Sequence, residues 1–516
     1  MSTTTTPVLI AGAGLGGLTT AVFLAHQGVP ALVVDRHPGT SRAPKARGQM
    51  PPIMEPLRYV GVADAILAGQ PPGRPEMAIQ ICTAVTGDVM HSFTEEFPDF
   101  SGYSPAPVGM ASQAVAEAAL AERAVRLGAD LRFRTRLESF TDDGDAVRAT
   151  LRDLVTDEEY EVRADYLVTA TGHRGGGAAA AGIGTHGLGA FEQNQTVLFE
   201  ADLNGYLPDS AVLMFYAQNP ELPGGSGAFV STDEPGRYVA GLRPEEGRTD
   251  EETIALIRVL TGVPDLEVKL LGADTWGVAH QVADRFSAGR VFLVGDAAHV
   301  MPPTGGQGGN TAMLDGHHLA WKLAAVVRGQ AGPGLLDSHD VEWRPYGRLV
   351  ADWQVSNMID RQAPHLEHLR PELPETDPDR LMFGYRLPKG GAFVAEPGTD
   401  DAMFEDPATP AGRPGTRAAH IWIDRDGERM STRDLLTGDF VLLTGGPTTP
   451  ATKAAERLGV PIDAYTLPPE TGWTDAYGVP ETGTVLIRPD GFIAWRTRDA
   501  LTAEALEAAL RTVLNR

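Results

Sequence analysis

The chain has 516 residues, enough on length alone for about three domains, with 43 basic against 68 acidic residues and a formal net charge of −25. That excess of acid, with no basic patch, excludes nucleic acid and anionic membranes as expected partners, and no run approaches the ~18 apolar residues of a membrane span. The single cysteine, Cys82, excludes disulfides and a Cys-x-x-Cys redox pair. The opening Met-Ser-Thr-Thr-Thr-Thr-Pro7 lacks a basic, apolar leader, so a soluble cytoplasmic protein is expected.

The first element, Val8 to Ala11, reads as a buried parallel strand that runs directly into Gly12-Ala-Gly14-Leu15-Gly-Gly17 and a helix. Gly12 permits the tight turn, Gly14 lets a pyrophosphate approach the backbone, and Gly17 allows the helix to pack on the sheet. Gly12, Gly14, Leu15 and Gly17 are therefore predicted to hold a dinucleotide, its anion at the helix N-terminus. A second strand, Ala31 to Asp35, ends in an acid that can accept from a ribose diol, which favours FAD or NAD over NADP. Lys45 and Arg47 stand where the chain returns toward the pyrophosphate. Met54 to Val62 reads as a short helix, and Pro-rich text from Gln70 to Pro107, with the alternating run Ala78 to Thr83, as an excursion into a second domain.

A long helix is predicted from Ser112 to Leu127. Leu131 to Leu137, Ala146 to Leu151 and Glu159 to Val162 alternate as antiparallel strands, and Asp165 to Ala170 returns to the first sheet. Residues 185 to 277 read as strands, including Thr196 to Ala201, Ala211 to Tyr216 and Tyr238 to Leu242, with a helix from Glu251 to about Leu260. Phe215, Phe229 and Trp276 are the aromatic candidates for a substrate pocket, and His280 and Gln281 the candidate donors to a substrate carbonyl. Arg290 to Asp296 is a further strand. After the loop Ala297 to Asn310 comes a helix from Thr311 to Val327, whose His317 and His318 lack metal-ligand spacing; no metal site is predicted. Beyond a linker from Pro388 to Gly415, an α/β unit is expected, with a strand at Phe440, a hairpin around Pro489-Asp490-Gly491 and a last helix with Leu506, Leu510 and Val513 on one face.

The run Gly295-Asp296-Ala-Ala-His299-Val-Met-Pro302-Pro303-Thr-Gly305-Gly306-Gln-Gly308-Gly309-Asn310 carries a second signal. Asp296 at a strand end can bind a ribityl hydroxyl. Pro303 stiffens a loop in which Gly306, Gly308, Gly309 and Asn310 offer backbone N–H groups to a flavin's pyrimidine edge, helped by the positive end of the following helix. The two motifs together resemble the class A aromatic hydroxylases, the p-hydroxybenzoate hydroxylase family, over nearly the whole chain. The likeness is strongest to actinobacterial polyketide hydroxylases of the aklavinone and angucycline type, which share Leu319-Ala-Trp-Lys-Leu-Ala and Thr409-Pro-Ala-Gly-Arg-Pro. The resemblance implies an α/β fold: an FAD-binding Rossmann-like domain (residues 1–70, 108–175 and 278–385), a substrate-binding β-sheet domain (71–107 and 176–277) and a cysteine-free thioredoxin-like C-terminal domain (400–516). It also implies FAD as cofactor, Gln113 at the ribityl chain, Arg36 at the adenosine end, and a polyketide-like small molecule as substrate of a monomer or homodimer.

The sequence departs from that family around one functional route. Where such hydroxylases carry Asp-Gly-x-x-Ser/Gly-x-x-Arg, implicated in FAD and NAD(P)H binding, this chain has Thr171-Gly-His-Arg-Gly-Gly-Gly-Ala178. The family's return-loop arginine is Lys45 here, and its Arg-Thr pair is Pro52-Ile53. With the flavin motifs intact and the NADPH dock eroded, the expected function is a non-redox intramolecular [4+2] cyclisation. FAD would then be a structural wall, as in the FAD-dependent Diels–Alderases to which the resemblance extends, and orientation alone can supply roughly 7–11 kcal/mol. The alternative is the family's usual NADPH- and O₂-dependent hydroxylation of an aromatic polyketide.

Overall fold

The first apolar run becomes the strand Thr4–Ala11, and everything around it follows from its burial on both faces. In a computed structural model, which describes residues 4–41, 46–70, 77–93, 99–208, 212–425 and 427–516, it pairs in parallel with Leu32–Asp35 on one side and Glu159–Thr169 on the other. Val291–Leu293 and Asp130–Phe133 extend this parallel core outward. A strand so enclosed has no solvent face, which is why its sequence is continuously apolar rather than alternating.

Two sequence expectations change here. Leu131 to Leu137 is not one strand: Arg134 adopts φ 54, and the chain turns from Asp130–Phe133, parallel to Leu32–Asp35, into Thr135–Asp142, antiparallel to Val147–Asp153. Conversely, Glu159 to Val162 and Asp165 to Ala170 belong to one strand, Glu159–Thr169, which pairs with Val147–Asp153 on one edge and Thr4–Ala11 on the other. The helix predicted from Ser112 is Gln113–Arg126, with the Ser112 side chain accepting the Val115 N–H at its start. The helix predicted from Thr311 begins four residues earlier, at Gln307, because Gly306 takes a left-handed conformation (φ 68) that turns the loop straight into the first helical turn.

The second sheet has eight strands, in the spatial order His299–Val300, Lys269–Ala283, Thr185–Glu200, Arg237–Leu242, Ser226–Ser231, Val212–Gln218, Met77–Cys82 and Val89–Ser92. Ala211, read as the start of one strand, lies outside the described residues. The excursion after Gln70 thus joins this sheet, Met77–Cys82 lying parallel to Val212–Gln218. Helix Asp250–Thr261, closed by a Thr249/Glu252 capping box, covers one face through Ile257 and Leu260. Cys82 is buried in the same core, and burial pushes its thiol pKa up to about 11. The C-terminal strands lie in the order Ile462–Thr466, Phe440–Thr444, Thr484–Ile487, Ile493–Thr497, the first pair parallel and the others antiparallel. Helices Thr449–Leu458 and Ala503–Val513 pack on them through Ala454, Leu506 and Leu510, giving the thioredoxin-like α/β unit expected.

An ionic joint buried among the helices Gln307–Val327 and Asp337–Arg361 and the C-terminal hairpin ties this unit to the rest. Glu342 accepts from Lys322 at 2.6 Å and from Arg488 at 2.7 and 3.0 Å. Arg488 also grips Asp490, which lies 2.9 Å from His318 Nδ1. All of these side chains are essentially inaccessible to solvent. Burial alone would raise the Glu342 pKa, but the charges of Arg488 and Lys322 hold it well below the usual carboxylate range.

Candidate active site

At the first glycine bend sterics leave no alternative residue. Gly12 has φ +112, and a Cβ there would sit 2.1 Å from the Ala170 carbonyl oxygen; a Cβ on Gly17 would sit 2.0 Å from the Gly12 oxygen. At Gly14 the only atom within 4 Å of such a Cβ is a Glu117 carboxylate oxygen, at 3.8 Å, so the backbone is open to a ligand at the N-terminus of helix Leu15–His26. Asp35 accepts the Ala13 N–H at 2.7 Å and the His37 N–H at 2.8 Å, with His37 Nδ1 also at 2.8 Å. A carboxylate has about four acceptor positions, which leaves capacity for a ribose hydroxyl. Arg36 is exposed beside it. Gln113 does not hang free: its Nε2 donates to Glu117 at 2.6 Å, and the other Glu117 oxygen accepts the Ser41 N–H. Sequence reading missed Glu117, a buried acid on a helix face whose spacing resembles any surface glutamate.

The two cations placed at the pyrophosphate fare differently. Lys45 lies outside the described residues. Arg47 is turned away into a pair with Asp233 at 2.5 Å and a bond to the Met110 carbonyl. It therefore ties the short ribbon of Arg47–Gln49 and Gly109–Ser112 to the turn before Arg237–Leu242 rather than pointing freely at a phosphate.

The second bend is held from behind by Asp315, which has no exposure. One of its oxygens accepts the Gly295 N–H at 2.7 Å and lies 2.8 Å from His299 Nε2; the other accepts the Trp343 indole N–H at 2.7 Å. Burial would depress the His299 pKa, yet the adjacent Asp315 carboxylate more than offsets this and raises it. Gly295 (φ +60) leaves Asp296 exposed at the end of Val291–Leu293, where a ribityl hydroxyl can reach it. Pro303 is exposed, and Gly305 and Gly306 both have positive φ. A Cβ at Gly309 would lie 3.0 Å from Leu15 Cδ1 and 3.4 Å from Ala46 Cβ, so the two glycine bends meet. A second meeting lies further along the helices: Cβ atoms at Gly16 and Gly316 would lie 3.1 Å from the Ala312 oxygen and 2.7 Å from the Gly16 oxygen. Gly16 and Gly316 were not singled out from sequence, although small residues where two helices cross are the signal that marks them.

Asn310 is buried in the first turn of the helix. Its side chain accepts the Met50 N–H at 2.8 Å and donates to the Gly48 and Gly306 oxygens, both at 3.1 Å. It stitches the return strand Arg47–Gln49 to the helix start, so its amide orients the loop while the N–H groups of Gly308 and Gly309 remain at the helix mouth. These donors and dipoles, converging from two bends with Asp35 and Asp296 at either end, fit FAD: backbone N–H for the pyrophosphate, carboxylates for the sugar hydroxyls.

The sheet-side candidates separate. Phe215 and Phe229 are 1 % and 0 % exposed and stack at 6.1 Å in the core under helix Asp250–Thr261, on the face away from the flavin loop. Gln281 is exposed and donates to Thr185. His280 is buried, with Nε2 2.9 Å from Asp352 and Nδ1 facing the Leu188 N–H, which pins Lys269–Ala283 to helix Asp337–Arg361. Both its nitrogens are committed to the protein. Alternation along the strands explains the split, since one face packs on a helix and only the other can meet a ligand. Trp276 alone faces the right way: it donates to Thr196 at 2.9 Å and clusters with Phe191, Val278, Met358 and Ala363. The same side carries groups that sequence reading missed. Arg361 closes its helix over the Phe93 ring at 4.6 Å and reaches Tyr216, whose hydroxyl contacts Met214 Sδ at 3.1 Å. The flavin loop abuts this region through Gly305, beside Gln354 and Asn357.

The altered stretch is built around glycine. A Cβ at Gly175 would strike the Thr171 side chain at 2.3 Å, and the Thr171 hydroxyl is buried with no hydrogen-bond partner among the described residues. Ala178 is buried in an apolar cluster with Ile183 and Phe286, so an arginine there would have nowhere to go without repacking; His173 and Arg174 are exposed or nearly so.

Comparison with known proteins agrees with this geometry. Residues 5–354 match the family model for an FAD binding domain, and residues 411–516 the model for the aromatic-ring hydroxylase C-terminal region. The chain is 39% identical to aklavinone 12-hydroxylase RdmE of Streptomyces purpurascens, covering 99% of both chains, and 44% identical to aklavinone 12-hydroxylase DnrF of Streptomyces peucetius, over 84% of this chain and 90% of that one. Among solved structures it superposes with a TM-score of 0.93 on a ternary complex of aklavinone-11 hydroxylase with FAD and aklavinone, at 39% identity and covering all of both chains. The chain belongs to the class A FAD-dependent aromatic hydroxylase family, and FAD is its cofactor. Among the described residues no helix is long and apolar enough to cross a membrane, and no cluster of His, Cys, Asp and Glu could hold a metal ion.

Proposed function

We propose that the protein is a flavin-dependent hydroxylase that tailors a polycyclic aromatic polyketide. The observation that carries this reading is the full-length superposition on a hydroxylase holding FAD and an anthracyclinone-type ligand, supported by a flavin cradle whose glycines, Asp35 and Asp296 are all in place. Bound FAD would take hydride from a nicotinamide cofactor and activate O₂. The chain's own part is orientation: Trp276, Tyr216, Arg361 and the apolar cluster of Phe191, Val278 and Met358 form a wall that can hold a flat ring system against the flavin loop and exclude water. The domain limits 1–70, 108–175 and 278–385, 71–107 and 176–277, and 400–516 are proposed on the same footing, although the second sheet crosses the limit at 277/278, since Lys269–Ala283 and His299–Val300 both pair in it.

A second reading, the FAD-bound [4+2] cyclase, keeps one observation in its favour. The family's acid and arginine at 171 and 178 are replaced by a half-buried threonine and a buried alanine, and Arg47 is occupied with Asp233. Anaerobic mixing of the FAD-loaded protein with NADPH, with and without an anthracyclinone such as aklavinone, separates the two. Bleaching of the flavin that quickens with the polyketide, followed in air by a product one oxygen atom heavier, is the expected result. A flavin that stays oxidised while a polyene substrate cyclises at constant mass would replace the hydroxylase with the cyclase.

A further inference from the structure

Behind the flavin site, a cleft with about 740 Å³ of empty space, the open solvent at its mouth included, lies between helix Pro51–Tyr59, helix Gln307–Val327 and the C-terminal unit. It touches the long helix at Leu314, His317 and His318, roughly 10–17 Å along the axis from the helix start at Gln307. Its walls are aromatic: Tyr59, Tyr346, Phe383 and Phe492 all line it.

Charge is unbalanced at one edge of this cleft. Glu55 is saturated: it accepts from Ser104 at 2.6 Å, from Arg417, and from Arg433 at 2.7 and 3.0 Å. Two guanidinium groups thus share one carboxylate, all three largely withdrawn from water. The cleft's other acid, Asp490, already serves Arg488, His318 and the Trp321 N–H, so it cannot act as the missing counter-ion. His317 stays neutral at ordinary pH, burial having lowered its pKa to about 4. Arg417 also donates to the Tyr103 carbonyl at 3.0 Å, and burial with the like charge of Arg433 pushes its pKa down to about 10. Arg417 lies over the Phe383 ring, with its guanidinium carbon 5.3 Å from the centroid, so an aromatic surface and a surplus positive charge occupy one place. The joint at Glu342 and Asp490 shows the contrast, since there Arg488 and Lys322 face two carboxylates.

We infer that this cleft is a second ligand site, separate from the flavin, for a single-ring aryl carboxylate whose anion pairs with Arg417 and Arg433 and whose ring lies among Phe383, Tyr346 and Tyr59. A buried carboxylate paired with guanidinium is the geometry arginine is suited to.

The test titrates the FAD-loaded protein calorimetrically with benzoate and with its neutral counterpart benzamide. The expected result is one benzoate per chain, bound at least tenfold tighter than benzamide, with an unchanged flavin spectrum. Arg417→Met should weaken benzoate at least tenfold at full flavin content. The wild-type protein supplies a readout independent of that variant's folding: in crystals soaked with 4-iodobenzoate, the anomalous iodine peak should fall beside Phe383. Absence of benzoate binding, equal affinity for benzamide, indifference to Arg417→Met, or iodine in front of the flavin loop would each overturn the assignment.

Discussion

Two junctions in this molecule solve opposite problems. Where the glycine bends meet, the Leu15 side chain lies against the Gly309 backbone, and among the described residues the N–H dipoles of the two helix starts stay unspent on charged side chains. Where the C-terminal unit meets the long helices, the contact is charge on charge, and the groups of Glu342, Lys322, Arg488 and Asp490 are spent on one another. The first is specific because a methyl at Gly309 would crowd Leu15 and Ala46. The second is specific because removing any one partner strands another in a medium that cannot solvate it. An acidic protein holds an anionic cofactor through the first kind, since fixed dipoles act locally whatever the net charge.

The comparison can be broken at either end. Gly12→Ala should have the largest effect: the methyl would overlap the Ala170 carbonyl oxygen, so the purified protein should be colourless or insoluble, as flavin absorbance relative to total protein will show. At the ionic junction, Glu342→Gln leaves Arg488 and Lys322 short of a counter-ion and should cost about 3–5 kcal/mol in urea unfolding. His317 sharpens the contrast through pH. Its folded pKa of about 4 lies below the ordinary histidine value, so between those limits the unfolded chain binds the extra proton and stability falls as pH falls. His317→Gln should remove about 3 kcal/mol of that acid sensitivity between pH 6.5 and 4, read from unfolding midpoints across the range. Asp35→Asn should be mildest, weakening FAD roughly 10–100-fold by equilibrium dialysis, because one charged acceptor is lost while the backbone cradle remains.

How much of this was legible depended on the kind of signal each residue carries. Gly12, Gly14 and Asp35 announce themselves because spacing and residue type both follow from close approach to a dinucleotide. The parallel sheet and the thioredoxin-like unit were equally readable from runs of apolar residues and, for the latter, from family resemblance. Phe215 and Phe229 misled because an aromatic residue on a strand fits a pocket or a core equally well, and only the helix Asp250–Thr261 on one face decides between them. Arg361 and Tyr216 were invisible because they come from elements about 145 residues apart and meet only after the long helix crosses the sheet. Arg47 was read as a cation beside the pyrophosphate, but its partner Asp233 lies in the turn between Ser226–Ser231 and Arg237–Leu242, and a pairing so distant along the chain leaves no trace in local sequence.

The helix Gln307–Val327 carries the flavin-facing N–H groups at its head and Lys322 near its tail. Truncation upstream of Arg488 would therefore do more than shorten the polypeptide. It would leave Glu342 and Lys322 without their third member and loosen the shaft whose first turn opens at the second glycine bend, so the C-terminal unit of this chain cannot be treated as an interchangeable module.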